Sequence, residues 1–217
     1  MKIILDQPLC IHEIGRRPMQ QDSVVPAFGE AQSTDRHFMV GEGPVADVYA
    51  QKSSLTLSSK GIIAQNTGNC RIYQIRPGDE EPVLSVSGDT NRVIEDVQTG
   101  DWLVIMTDGM CEYIVDEDIV GILNRPDWTP EHKKDALLDY TSENEDNHSA
   151  YILHIRGIEE EPIAEEPVAE KPVMAQEAVA AVAESNGFEL TAKTVLVVLA
   201  AAYMIALIAG FFIGLFG

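Results

Sequence analysis

Cysteine is scarce in this chain of 217 residues, with Cys10, Cys70 and Cys111 as its whole complement. An odd number, widely spaced and without a CxxC pair, argues against a disulfide framework and a thiolate zinc site, and fits a reducing compartment. Basic residues are also few: 15 Lys and Arg stand against 35 Asp and Glu, for a net charge of −20. A field of that sign repels phosphate backbones and anionic headgroups, so no nucleic acid partner is expected. A leader-type apolar run is missing from the first ten residues, where the three residues 3–5 are followed at once by Asp6, so no signal peptide is expected. Long apolar runs are absent until residue 194.

What is present divides the chain into three zones. Residues 1–156 carry twice as many acids as bases and have globular composition, with strand-length apolar segments broken by Gly, Pro, Asn and Asp. Residues 157–193 hold nine Glu and two Lys, with a repeat that brings back proline at every fifth position, Pro162, Pro167 and Pro172. Proline at that spacing forbids a regular helix and the charge opposes collapse, so an extended, disordered acidic linker is expected.

Residues 194–217 contain no charged side chain. As a helix the segment is about 36 Å long, enough to cross a hydrocarbon core of about 30 Å with some tilt, and it reads as a single-pass membrane anchor. Lys193 flanks it on the amino-terminal side and no base follows, which places the globular domain in the cytoplasm by the positive-inside tendency. Within the span Ala202, Ala206, Gly210 and Gly214 recur every four residues. Such a stripe lets two helix backbones approach closely, so a homodimer through this face is an expectation.

In the globular zone strands are expected at 2–5, 24–25, 38–40, 54–57, 62–66, 72–75, 82–86, 102–106 and 150–155. Arg71-Ile72-Tyr73-Gln74-Ile75 shows the period-two alternation of a strand with one buried face. Thr129-Pro130-Glu131 reads as an N-cap, a first-turn proline and a first-turn acid opening a helix to Tyr140, and Asp116 as the cap of a shorter helix over 116–123. Many strands with a few late helices predict an α+β fold with two antiparallel sheets packed as a β-sandwich.

The polar motifs fall at strand ends. Gly15-Arg16-Arg17-Pro18-Met19-Gln20-Gln21-Asp22 precedes a strand, Glu42-Gly43 follows one, Thr107-Asp108-Gly109-Met110 follows the apolar segment 102–106, and Glu145-Asp146-Asn147 precedes the last strand. Carboxylates at strand termini can converge at one edge of a sandwich, and all-oxygen sets of this kind suit hard divalent cations. In order and spacing these motifs, together with Gly68-Asn69-Cys70-Arg71-Ile72-Tyr73 and Asp146-Asn147-His148-Ser149, resemble the boxes of the metal-dependent protein phosphatases of the 2C type.

The resemblance covers most of residues 10–156 and implies two Mn2+ or Mg2+ ions held by Asp22, Glu42, Asp108, Asp146 and the Gly43 carbonyl. It further implies that Arg17 binds the phosphate of a phosphoserine or phosphothreonine protein. In the family the bridging carboxylate is Asp; Glu42 is longer by one methylene, a displacement of more than about 1 Å against a ligand tolerance of about 0.2 Å. Asn69 stands where the family has Asp, Gln20 and Gln21 leave the first box without its second acid, and the 24 residues between Gly43 and Gly68 leave room for only one turn of helix near 45–51. These departures point to a degenerate, regulatory or phosphoprotein-binding domain. Two alternatives stand beside it: an active Mg/Mn-dependent phosphatase, and an acidic membrane-anchored interaction domain without a metal site.

Overall fold

The computed structural model describes residues 1–47 and 50–160. Most of the expected linker and the whole expected anchor, 194–217, lie outside the described residues, and among those described no helix is long and apolar enough to cross a membrane.

Two antiparallel sheets form, as the strand pattern predicts. One has the order β1 (Lys2–Leu5), β11 (His148–Glu159), β10 (Trp102–Met106), β7 (Arg71–Ile75) and β8 (Leu84–Ser87), with β2 (Leu9–Glu13) also on β11. The last strand is long enough to serve two neighbours on one side: its start pairs with β2, His148 opposite Glu13, and its end with β1, Glu159 opposite Lys2. The other sheet has the order β3 (Asp22–Val25), β4 (His37–Glu42), β5 (Lys52–Ser58), β6 (Gly61–Thr67) and β9 (Thr90–Ile94).

The main core lies between the sheets. Phe38, Val40, Leu55, Ile62 and Ala64 meet Ile72, Leu103, Ile105, Tyr151 and Leu153, with the Phe38 and Tyr151 rings edge to face at 5.3 Å. A second core covers the opposite face of the first sheet, where Tyr73, Trp102, Val104, Met106 and Ile152 pack with α1 (Asp108–Cys111), α2 (Asp116–Leu123) and α3 (Pro130–Tyr140). Covered on both faces, β10 is buried at every position and reads as a continuous apolar run. In contrast, β6 alternates: Ile62, Ala64 and Asn66 are buried, whereas Gln65 and Thr67 are exposed. Among the described residues no helix covers the outer face of that second sheet.

Local signals acted as expected in α3, where the Thr129 side chain accepts from His132 N and Pro130 occupies the first turn. Elsewhere the structure corrects the sequence reading. Val115 precedes α2 without a side-chain capping bond, so Asp116 is the first helical residue, and its charge sits in the favourable first turn. At Asp108-Gly109, a pair that ordinarily marks a turn, the chain forms a one-turn helix preceded by Thr107. Around 45–51 the described residues form a turn, Asp47 N donating to Pro44 O at 2.9 Å, with no helix. Strands β2 and β9 were not expected, and the final strand runs beyond the expected 150–155 at both ends.

Candidate metal and phosphate site

The site begins with a strand pair. Asp22 opens β3 and Glu42 closes β4, and the antiparallel register sets them directly opposite each other. Like charges so paired destabilise a sheet unless something neutralises them. Across the sandwich the chain leaving β10 places Asp108 at the start of α1, and the loop entering β11 brings Asp146. The loop before β3 carries Arg17. All of these, with Gly43, Gln21 and Asn147, line one cavity of about 260 Å³. Every residue proposed from the sequence, Arg17, Asp22, Glu42, Gly43, Asp108 and Asp146, is among them.

Each carboxylate has a different environment. Asp22 is buried, and its Oδ2 accepts from Thr107 Oγ1 at 3.0 Å and Ser149 Oγ at 2.9 Å. Burial raises its pKa, and the two hydroxyls offset part of that rise. Glu42 is perturbed further: burial first, then Asp108, Asp22 and Asp146, push its carboxyl up to about 7. Its Oε1 is buried with no hydrogen-bond partner. Asp146 is already engaged, its Oδ2 accepting from Arg17 at 2.7 Å and its Oδ1 from Asn147 N at 2.8 Å. Burial works to raise its pKa, but Arg17 and that N–H outweigh burial and hold it below the usual carboxylate range. The Gly43 carbonyl accepts from Ser23 Oγ at 2.5 Å, and Gly43 N donates to Gln21 O at 2.8 Å.

As these side chains stand, no three or more His, Cys, Asp or Glu among the described residues come together tightly enough to hold an ion. The donor chemistry nevertheless fits a hard cation, because the set is all oxygen and Glu42 presents an orphaned buried oxygen amid three other carboxylates. A cation that drew on Asp146 would compete with Arg17 for its Oδ2.

Two supporting residues were not assigned roles from the sequence. Asn147 lies inside a motif that was read, yet its work is long-range: Nδ2 donates to Ile14 O at 2.7 Å and Met19 O at 3.1 Å, and Oδ1 accepts from Gln21 N at 2.7 Å, stapling the loop that carries Arg17. Asn144 accepts from Asp146 N at 2.9 Å and donates to Gly109 O. Gly109 packs so closely that a Cβ there would run into Asn147 O, which explains the glycine after Asp108. None of the five histidines lines the cavity. His12 contacts Ser149 Oγ at 2.9 Å, the hydroxyl that donates to Asp22, and also acts on Asp22 by charge through space.

No family model matches the chain, and no curated protein does. Solved structures do match its fold. The catalytic domain of the serine/threonine protein phosphatase PstP, in complex with two manganese ions, aligns with a TM-score of 0.54 at 12% identity, covering 71% of this chain and 99% of that one. The PPM Ser-Thr phosphatase MsPP from Mycobacterium smegmatis gives 0.52 at 13% identity over 71% and 100% of the two chains. RsbX in complex with magnesium gives 0.52 at 16% identity, again over 71% and 100%. The described domain thus has the fold of PPM-type serine/threonine phosphatases.

Proposed function

We propose that this chain is a membrane-tethered domain of the PPM phosphatase fold that binds Mn2+ or Mg2+ and a phosphoserine- or phosphothreonine-bearing protein, acting as a regulatory or phosphoprotein-binding module. The observation that carries this reading is the single cavity lined by Arg17, Asp22, Glu42, Gly43, Asp108 and Asp146. The four carboxylates and the Gly43 carbonyl would hold the cations, which when bound supply Lewis-acid polarisation of a phosphoryl oxygen and a more acidic water. Arg17 supplies a forked pair of N–H donors suited to a phosphate dianion. Glu42, one methylene longer than the Asp of the family, would hold a cation displaced by about 1 Å from the place that turnover needs, which supports a binding module over an enzyme.

An active hydrolase is the second reading, and the completeness of the cavity lining favours it. Turnover of para-nitrophenyl phosphate and a phosphothreonine peptide by the full chain in detergent separates the two. The regulatory reading expects background turnover in wild type, Mn2+-dependent retention of the phosphopeptide, and a gain of turnover in Glu42→Asp. Robust wild-type turnover that Asp108→Ala abolishes would replace it with the enzymatic one. For the tether, resistance of the full chain to alkaline extraction is expected, with residues 1–156 digested from the cytoplasmic side of sealed vesicles. Dimerisation through the small-residue stripe predicts that Gly210→Ile with Gly214→Ile removes the crosslinked dimer.

A further inference from the structure

We propose that Gln51 is the positioning residue that aims the Glu42 carboxylate into the cavity, and this rests on the cation-binding reading above. Gln51 Nε2 donates to Glu42 Oε2 at 3.4 Å, while Oε1 of the same carboxylate is buried without a donor. Gln51 is the amide donor to this carboxylate, and its other side-chain neighbour is the Asp108 carboxylate, which also lines the cavity. One oxygen is therefore held by Gln51, and the other is left without a donor in a residue that lines the cavity. The backbone assists, because Glu42 N donates to Gln51 O at 2.9 Å.

The other end of Gln51 is anchored as well. Its Oε1 accepts from Asn69 N at 2.6 Å. Gly68, at φ +68°, makes room for this reach, since a Cβ on it would run into the Gln51 side chain. The turn is itself fixed by Asp89 Oδ1, which accepts from Gly68 N at 3.0 Å, and by Gly88 N, which donates to Gly68 O at 3.1 Å. A continuous chain of contacts thus runs from Asp89 through the Gly68-Asn69 turn and Gln51 to Glu42. It gives the motif around residue 69 a use that needs only a backbone N–H there, so Asn serves as well as Asp. Glu has one more rotatable bond than Asp, and a carboxylate on a longer stem loses more freedom when it is fixed. A hydrogen bond from behind is the common means of orienting a metal-ligating carboxylate, and its loss typically weakens metal binding by about 10–100-fold.

The test is a double-mutant cycle on the full chain in detergent, with Mn2+ as the probe and free Mn2+ read by electron paramagnetic resonance. Gln51→Met keeps the length and removes the amide with its two hydrogen bonds, so about a tenfold loss of Mn2+ affinity is expected, with the metal-free melting temperature falling by about 2–8 °C. On a Glu42→Asp background the shorter carboxylate is out of Gln51's reach, so the same Met substitution should change affinity by less than about twofold. Equal losses on both backgrounds would overturn the proposal, because Gln51 would then act elsewhere. Unchanged Mn2+ affinity in Gln51→Met overturns it too, while leaving the cation site standing. Wild-type binding no better than that of an Asp108→Ala/Asp146→Ala control would remove the cation reading and this one with it.

Discussion

Replacing Glu42 with Gln should stabilise the metal-free domain at pH 8 and leave it unchanged near pH 4.5. The Glu42 carboxyl is pushed from an ordinary 4.5 up to about 7 by burial and by Asp108, Asp22 and Asp146. Between those two values the folded chain holds a proton that the unfolded chain has released, so stability falls as pH rises through this window and the loss is complete above it. A shift of that size corresponds to about 3 kcal/mol at about 1.4 kcal/mol per unit. Glu42 is only partly buried, so solvent screening reduces the figure to about 1–2 kcal/mol. Gln keeps the shape and the bond from Gln51 but cannot ionise. For a chain of this size the gain corresponds to a rise of about 2–8 °C in Tm. Thermal melts in EDTA at pH 4.5, 6 and 8 give the assay, and the difference between wild type and variant should open with pH. With saturating Mn2+ at pH 8 the order should reverse, because the cation binds more tightly to, and so stabilises more, the chain that retains its carboxylate. An equal gain at every pH, or a loss at pH 8, would refute the argument that like charge around Glu42 is what the cavity stores.

Asn147→Ala removes three hydrogen bonds to the Arg17 loop, and a loss of about 3 kcal/mol is expected, read as a fall in Tm with faster amide exchange confined first to residues 14–21. Leu103→Ala empties a fully buried site between the sheets and should cost about 2–5 kcal/mol by denaturant melt at any pH, the contrast that separates packing from charge. Because Asp146 occupies Arg17, Mn2+ should strengthen phosphate binding, and phosphate should strengthen Mn2+ binding by the same factor; calorimetric titration checks this, and Arg17→Ala should abolish the coupling while lowering Tm by no more than about 4 °C, since the exposed ion pair is worth under about 1 kcal/mol.

How much was legible in advance depends on how local the signal was. The apolar run of β10 and the Thr129-Pro130 start of α3 are complete within a few adjacent residues, and both elements formed where expected. Strand β9 was missed because three of its residues, Asn91, Arg92 and Val93, are exposed, so its place comes from pairing with β6 and not from its own pattern. Strand β2 likewise takes its partner from the far end of the chain, Leu9 opposite Ile152. The one-turn helix at Asp108 carries the Asp-Gly signature of a turn, and it is the bonds from Cys111 N to Thr107 O at 3.2 Å and from Glu112 N to Asp108 O at 3.0 Å that make it helical.

By itself the sequence determined most of the strands, though not β2 and β9, and that the carboxylates Asp22, Glu42, Asp108 and Asp146 stand at strand or helix ends. Periodicity and turn chemistry act between near neighbours, so they are written in the chain directly. Tertiary structure decided the rest: that these ends meet at one cavity, that Asp146 is paired with Arg17, and that Glu42 is left with an orphaned oxygen and a raised pKa. Burial and Coulomb interaction depend on distance through space, and Arg17 and Asp146 are 129 positions apart along the chain yet 2.7 Å apart in the fold.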